Sequence, residues 1–216
     1  MSIQDVDKTR QRIIEAAGAV FAEKGFEAGT IREICLLAQA NVAAVNYYFG
    51  DKQRLYLEAV KRAHQSKAQQ APLPHWKADT PPEEKLRGFV RTLLERMIGE
   101  DEASWHSQLM LREISRPNSA CEELVSDYIR PHFEVLQSIL AELLPDEVAT
   151  TKRNLIAFSV IGQCLHYKVA QPVVRLLVTA DEYSGYTPDN LAEHITDFTL
   201  AALGFRPRVK QVGGAA

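Results

Sequence analysis

The stretch that decides the fold runs from Gly29 to Lys52, GTIREICLLAQANVAAVNYYFGDK. Thr30 followed three residues later by Glu33 forms a capping box. The threonine hydroxyl accepts the Glu33 amide, and the carboxylate returns to the Thr30 amide, so a helix starts at Ile31. Its inward residues are Ile31, Ile34 and Leu37, and it ends near Ala38. Gln39 and Ala40 leave room only for a tight connection before Asn41, whose side chain suits an N-cap. A third helix, Val42 to Tyr48, follows, burying Val42, Val45 and Phe49 and turning Ala43, Ala44, Asn46, Tyr47 and Tyr48 outward. Gly50 and Asp51 then stop this helix and open a longer one, Lys52 to Ser66, with Leu55, Tyr56, Ala59, Val60 and Ala63 as its apolar side.

Upstream, Lys8 to Lys24 reads as a helix with Ile13, Ile14, Ala17, Val20 and Phe21 on one stripe, Gly25 as a left-handed stop and Phe26 folding back. Downstream, Pro72, Pro74, Pro81 and Pro82 rule out a helix from Gln69 to Pro82. Helical spacing returns over Glu83 to Ile98, Ser104 to Ile114, Ser119 to Leu144, Asp146 to Ala170 and Pro188 to Leu203. Pro131 should kink or split the third of these. No segment shows sustained alternation or hairpin turns, so the fold is all-α. The expected organisation is a helix-turn-helix domain over 1–50, a connecting helix over 51–67, a Pro-rich loop over 68–82, a helical domain over 83–206 and a disordered tail over 207–216.

The net charge of −3 hides a division. Through Lys67 there are ten Lys/Arg against eight Asp/Glu, leaving fifteen against twenty in the remainder, so only the first third suits a polyanion, and mildly. The start, MSIQDVDKTR, lacks the apolar core of a secretory signal, and no apolar run approaches the roughly 20 residues of a membrane span. A cytoplasmic location is expected. Cys35, Cys121 and Cys164 are widely spaced, without the pattern of a tetrahedral metal site, and read as reduced thiols. A redox role for Cys164 is the less favoured alternative. His106, His132 and His166 fall on different helices; spectator roles are favoured over a metal, and no metal or cofactor is expected.

Two short capped helices joined by a tight turn can lay the second in a major groove while the first braces it. Residues 10–55, including IIEAAGAVFAEKGFEAGTIREI and the aromatic pair before FGDK, resemble the DNA-binding domain of TetR-family repressors. The resemblance implies an operator contact set of Thr30, Arg32, Asn41, Ala43, Ala44, Asn46, Tyr47, Tyr48 and Lys52, with Tyr47, Tyr48 and Lys52 on phosphates. The chemistry agrees: Arg32 can fork onto guanine O6 and N7, and Asn46 onto adenine N6 and N7. Free amides at the start of the fourth helix, beside Lys52, suit a phosphate. Lys8 and Arg10 could follow the backbone from the N-terminal arm. The alternatives are that the three aromatics are core, as favoured for Phe49, and that Arg32 pairs with Glu33 or Glu27. Two departures stand out: Gln39 occupies a turn position where the family usually has glycine, and the recognition helix has no Lys or Arg before Lys52, so salt dependence should be shallow.

The C-terminal half carries no reaction signature: no glycine-rich phosphate loop, GxSxG or HExxH, so no catalytic residue is assigned and an enzyme is not expected. Its helices carry aromatics with a few polar groups, the usual composition of a small-molecule site. The candidate lining is Trp105, Met110, Arg112, His132, Phe133, Gln163, His166 and Tyr167, although each aromatic alone is more often core. REISRP at 112–117, YIRP at 128–131 and QPVVRLL at 171–177 are similar to the CecR-type branch of the family, which implies an amphipathic effector. Leu155, Phe158, Gly162, Leu165, Leu191, Ile195, Phe198 and Thr199 offer small residues among large ones for a two-fold four-helix dimer interface. The expected function is a homodimeric repressor released from a near-palindromic operator by a small molecule. The alternative is a helical small-molecule-binding protein or enzyme whose N-terminal bundle does not bind DNA, and a protein-binding scaffold is a third reading.

Overall fold

Thr30 does cap a helix as its sequence dictates: its Oγ1 accepts from the Glu33 amide at 3.2 Å, and its own amide donates to Glu33 Oε2 at 3.0 Å. In the computed structural model, which describes residues 3–99, 104–115 and 121–205, every described element is helical. They are α1 (Ile3–Ala28), α2 (Ile31–Ala38), α3 (Val42–Phe49), α4 (Lys52–Gln70), α5 (Pro82–Ile98), α6 (Trp105–Ser115), α7 (Cys121–Leu124), a π turn (Val125–Ile129), α8 (Arg130–Leu143), α9 (Thr150–Val169), α10 (Gln171–Leu177), α11 (Ala180–Ser184) and α12 (Pro188–Ala202). The tail expected over 207–216 lies outside the described residues, as do Arg116 and Pro117 of the REISRP string and Ser119 at the start of an expected helix.

The chain divides into two units. One takes the described residues within 1–71 and 100–132, the other those within 72–99 and 133–216. In the first unit, Ile13, Ala17, Phe21, Ile34, Val45, Phe49, Leu55, Tyr56 and Ala59 form a core that Leu109 of α6 and Leu124 of α7 complete. The expected boundary placed α6 and α7 with the rest of 83–206. The physical reason for the difference is size: α1 to α3 by themselves bury too small a fraction of their surface, and two more apolar side chains enlarge that core.

Gly25 has φ 82 and ψ 173, a conformation essentially restricted to glycine, and interrupts α1 so that Phe26 returns to within 6.3 Å of the Phe21 ring and 5.1 Å of Tyr56. The α2–α3 turn is made by Gln39 in the left-handed conformation, φ 50 and ψ 47, so glutamine tolerates what glycine would adopt freely. Leu37, expected inward, is exposed, because Cys35 and Ala38 fill the buried side of α2 beside Ile34. Pro131, which cannot donate a backbone bond, stands just after the π turn, where the Arg130 amide bonds to the Val125 carbonyl.

The second unit centres on α5, packed against α9 and α12, with Leu86, Phe89, Val90, Leu94, Leu136, Leu140, Ala157, Val160, Leu191 and Ile195 as its core. Two short helices, α10 and α11, follow α9, where the sequence reading had placed none; Pro172 pre-sets the start of α10.

Candidate nucleic-acid interface

α3 begins at a cap made by Asn41, whose Oδ1 accepts from the Ala44 amide at 2.8 Å. Val45 and Phe49 anchor one side of it in the core, and Ala43, Asn46 and Tyr47 occupy the opposite, exposed side. Tyr47 is 79% exposed; Tyr48 and Ala44 are half-buried at the flank, and the two tyrosine rings meet edge to face at 5.1 Å. Phe49 is the core aromatic the sequence suggested. Val42 departs from expectation. It is 49% exposed, because the first turn of α3 projects beyond the core that Val45 reaches one turn later.

Arg32 is exposed on α2. Glu33, the acid next to it, is occupied by Lys24 at 2.6 Å and by Thr30. These partners hold the Glu33 carboxyl down at about 2. Arg32 forms no ion pair among the described residues, which removes its pairing with Glu33 as the explanation for an arginine there. Thr30 and Asn41 are exposed at the helix starts, with their side chains already engaged as caps.

Lys52 is less free than its expected role suggests. Its Nζ donates to the Glu27 carbonyl at 3.1 Å and lies 4.7 Å from the centre of the Phe26 ring. The cation is thereby held at a fixed place beside the start of α4, where Asp51 Oδ1 caps the Arg54 amide at 2.8 Å. Arg10, a candidate for backbone contact, instead pairs with Glu58 and lies over Phe49 at 5.4 Å. Arg54, absent from the sequence-derived set, lines a hollow of about 410 Å³ with Asn46, Tyr47 and Tyr48. Its position one turn into a capped helix is the signal that could have found it.

The eight residues expected to line one effector site are divided between the units. In the first, Trp105 Nε1 donates to Glu15 Oε2 at 3.0 Å and its ring stacks on His106 at 3.8 Å, while Met110 packs on the first core. Arg112 reaches the carbonyls of Lys24 at 3.1 Å and Glu23 at 3.5 Å, and His132 Nδ1 meets the Tyr128 carbonyl at 2.7 Å, with its ring 5.5 Å from His64. In the second, Phe133 stacks on Phe158 at 5.4 Å, Gln163 bonds to the Ser159 carbonyl, and His166 meets Tyr167 edge on at 5.5 Å. Trp105, Met110 and Arg112 belong to the packing of α6 on the reader; periodicity marked them as apolar or polar but could not say which partner they face.

Of the expected dimer residues, Leu155, Phe158 and Phe198 are 57%, 58% and 59% exposed, Gly162 is open, and Leu165 is half-buried. Leu191, Ile195 and Thr199 are a correction. They are buried in the core of their own unit, because this side of α12 faces α5. Cys35 and Cys164 are buried free thiols, and burial pushes Cys164 up to about 12, which disfavours thiolate chemistry. The Cys121 side chain lies outside the described residues. Among the described residues, no group of three or more His, Cys, Asp or Glu is placed to hold a metal, and no helix is long and apolar enough to cross a membrane.

A capped, small-residue helix with one face open, braced by a second helix carrying a free arginine, defines a helix-turn-helix DNA-binding protein. The comparisons with known proteins agree. A family model described as "Bacterial regulatory proteins, tetR family" matches residues 13–59, and one described as "HTH-type transcriptional dual regulator CecR, C-terminal domain" matches residues 82–203. The chain is 27% identical over 208 residues to the HTH-type transcriptional repressor NicS of Pseudomonas putida, covering 93% of this chain and 94% of that one. It is 26% identical over 183 residues to the HTH-type transcriptional dual regulator CecR of Shigella flexneri, covering 79% and 80%. A TetR-like regulator from Rhodococcus sp. RHA1 shares the fold with a TM-score of 0.63 at 20% identity, covering 92% of this chain and 97% of that chain. The chain belongs to the tetR family of bacterial regulatory proteins and carries a CecR-type C-terminal domain; it is a DNA-binding transcriptional regulator, and the alternative of a bundle that does not bind DNA is not favoured.

Proposed function

We propose that this regulator acts in the cytoplasm as a homodimeric repressor on a near-palindromic operator and is released by an amphipathic small molecule. Two copies would place their α3 helices in successive major grooves roughly 34 Å apart. Arg32 and Asn46 read base edges, Ala43 and Ala44 allow close approach, Thr30 and Asn41 lie beside the backbone as caps, and Tyr47, Tyr48 and Lys52 meet phosphates. The single observation that carries this reading is the open face of α3: Ala43, Asn46 and Tyr47 are all exposed on a helix whose other side is locked into the core. The dimer is proposed to form through Leu155, Phe158, Gly162, Leu165 and Phe198; the exposure of Leu155, Phe158, Gly162 and Phe198 in the single chain supports it. The proposed effector site keeps Phe133, Gln163, His166 and Tyr167, which share the second unit, and omits the four that serve the first. A coupling of about 1 to 3 kcal/mol between effector and operator suffices for release.

Selection of bound fragments from genomic DNA, followed by titration of the recovered site, tests the proposal. A shared inverted repeat is expected, with Arg32→Ala and Asn46→Ala each weakening binding by about 5- to 150-fold, given roughly 1 to 3 kcal/mol per bidentate contact. Folded variants that bind the recovered site as tightly as the unaltered chain refute the residue assignment, and recovery of no preferred sequence refutes the regulator reading.

A further inference from the structure

Val42 is an exposed apolar residue at the start of the reading helix itself. It is the first residue of α3, its amphipathic pattern calls for burial, and half of its surface is nevertheless open. A branched apolar side chain at the mouth of a reading helix has one obvious chemical counterpart in a major groove, the C5 methyl of thymine. The stiffness of a β-branched side chain suits that contact, since its methyl groups are already fixed in direction and little rotamer freedom is lost on binding.

Resting on the operator reading above, we propose that Val42 is a specificity residue that reads a thymine methyl beside the adenine read by Asn46. Residues 42 and 46 are one turn apart, so their side chains share a stripe and are separated by about 6 Å of helix rise. Successive bases on a strand are spaced about 3.4 Å apart, so the thymine lies within about two base pairs of that adenine. The exposed Ala43 between them leaves room for the approach. Asn41 fixes the first turn through its bond to the Ala44 amide, which holds Val42 in place relative to Asn46.

The test replaces each thymine of the selected operator by deoxyuridine, one position at a time, which deletes only the methyl. One position per half-site is expected to lose about fourfold in affinity, the effect of leaving one methyl-sized apolar group in water. Val42→Ala is expected to lose a similar factor on the natural operator and to be insensitive to deoxyuridine at that position, whereas Asn46→Ala, though weaker overall, keeps the sensitivity. An operator with no deoxyuridine-sensitive position within two base pairs of the adenine, or a Val42→Ala variant as sensitive as the unaltered chain, overturns the assignment while leaving the regulator reading intact. A chain that selects no operator overturns both.

Discussion

Gly25→Ala tests how the end of α1, the anchor Lys52 and α6 depend on one another. At φ 82 and ψ 173 a side chain is strained whatever its surroundings, at a cost of about 1 to 3 kcal/mol. The surroundings add to it: a Cβ on residue 25 would lie 2.4 Å from Arg112 Nη2 and 2.6 Å from its Nε, so the guanidinium must leave. Arg112 then gives up its bond to the Lys24 carbonyl, a charge-assisted contact of about 1.5 kcal/mol at the lower end of the usual range because the side chain is only half-buried. The expected total is a loss of roughly 3 kcal/mol, read as a shift in the urea midpoint at unchanged slope. Arg112→Ala alone should lose about half as much, and the double variant less than the sum, since the collision disappears once the guanidinium is gone. Operator affinity should fall with Gly25→Ala as well, because the Glu27 carbonyl two residues on holds Lys52. A Gly25→Ala protein within about 0.5 kcal/mol of the unaltered chain refutes the backbone assignment, and strict additivity refutes the contact with Arg112.

Gln39→Gly should stabilise the protein by about 0.5 to 1 kcal/mol, since relief of the left-handed strain at φ 50 outweighs the added freedom of the unfolded chain; a lower urea midpoint would contradict this. Glu113 is buried with the Tyr56 hydroxyl donating to it, and burial pushes its carboxyl above the ordinary value even though Tyr56 and the nearby Arg112 charge oppose the shift. The folded protein therefore holds this proton more tightly than the unfolded chain, so the contribution of Glu113 to stability falls as pH rises from the ordinary carboxyl range through the raised value. Glu113→Gln should flatten that part of the stability profile in urea titrations run upward in pH from the ordinary carboxyl range, and a parallel profile would contradict the assignment. Leu155→Glu, on a 57% exposed position, should leave the helical signal unchanged and yield a monomer by light scattering at micromolar concentration; a persistent dimer would place the interface elsewhere.

The residues 29–52 determined their own secondary structure because the determining interactions are short-range. A cap bonds three residues away, as Thr30 to Glu33 and Asn41 to Ala44 do, and an apolar stripe repeats every turn, so α1 to α4, the stop at Gly25 and the core role of Phe49 were legible in the string itself. The proline-rich loop and the helices starting near residues 83 and 188 were legible for the same reason. The partners of those helices were decided only by the tertiary structure, since they depend on groups far apart in the chain. Tyr56 and Glu113 are 57 residues apart, and Arg112 and Lys24 are 88 apart. Periodicity marks one side of α6 as apolar without saying that it closes the reader's core, which is why Trp105, Met110 and Arg112 read as ligand residues. It likewise cannot see that α3 overhangs its core at Val42, or that α12 spends Leu191, Ile195 and Thr199 on α5: a sequence specifies which side of a helix avoids water, and only the packed chain specifies what covers it.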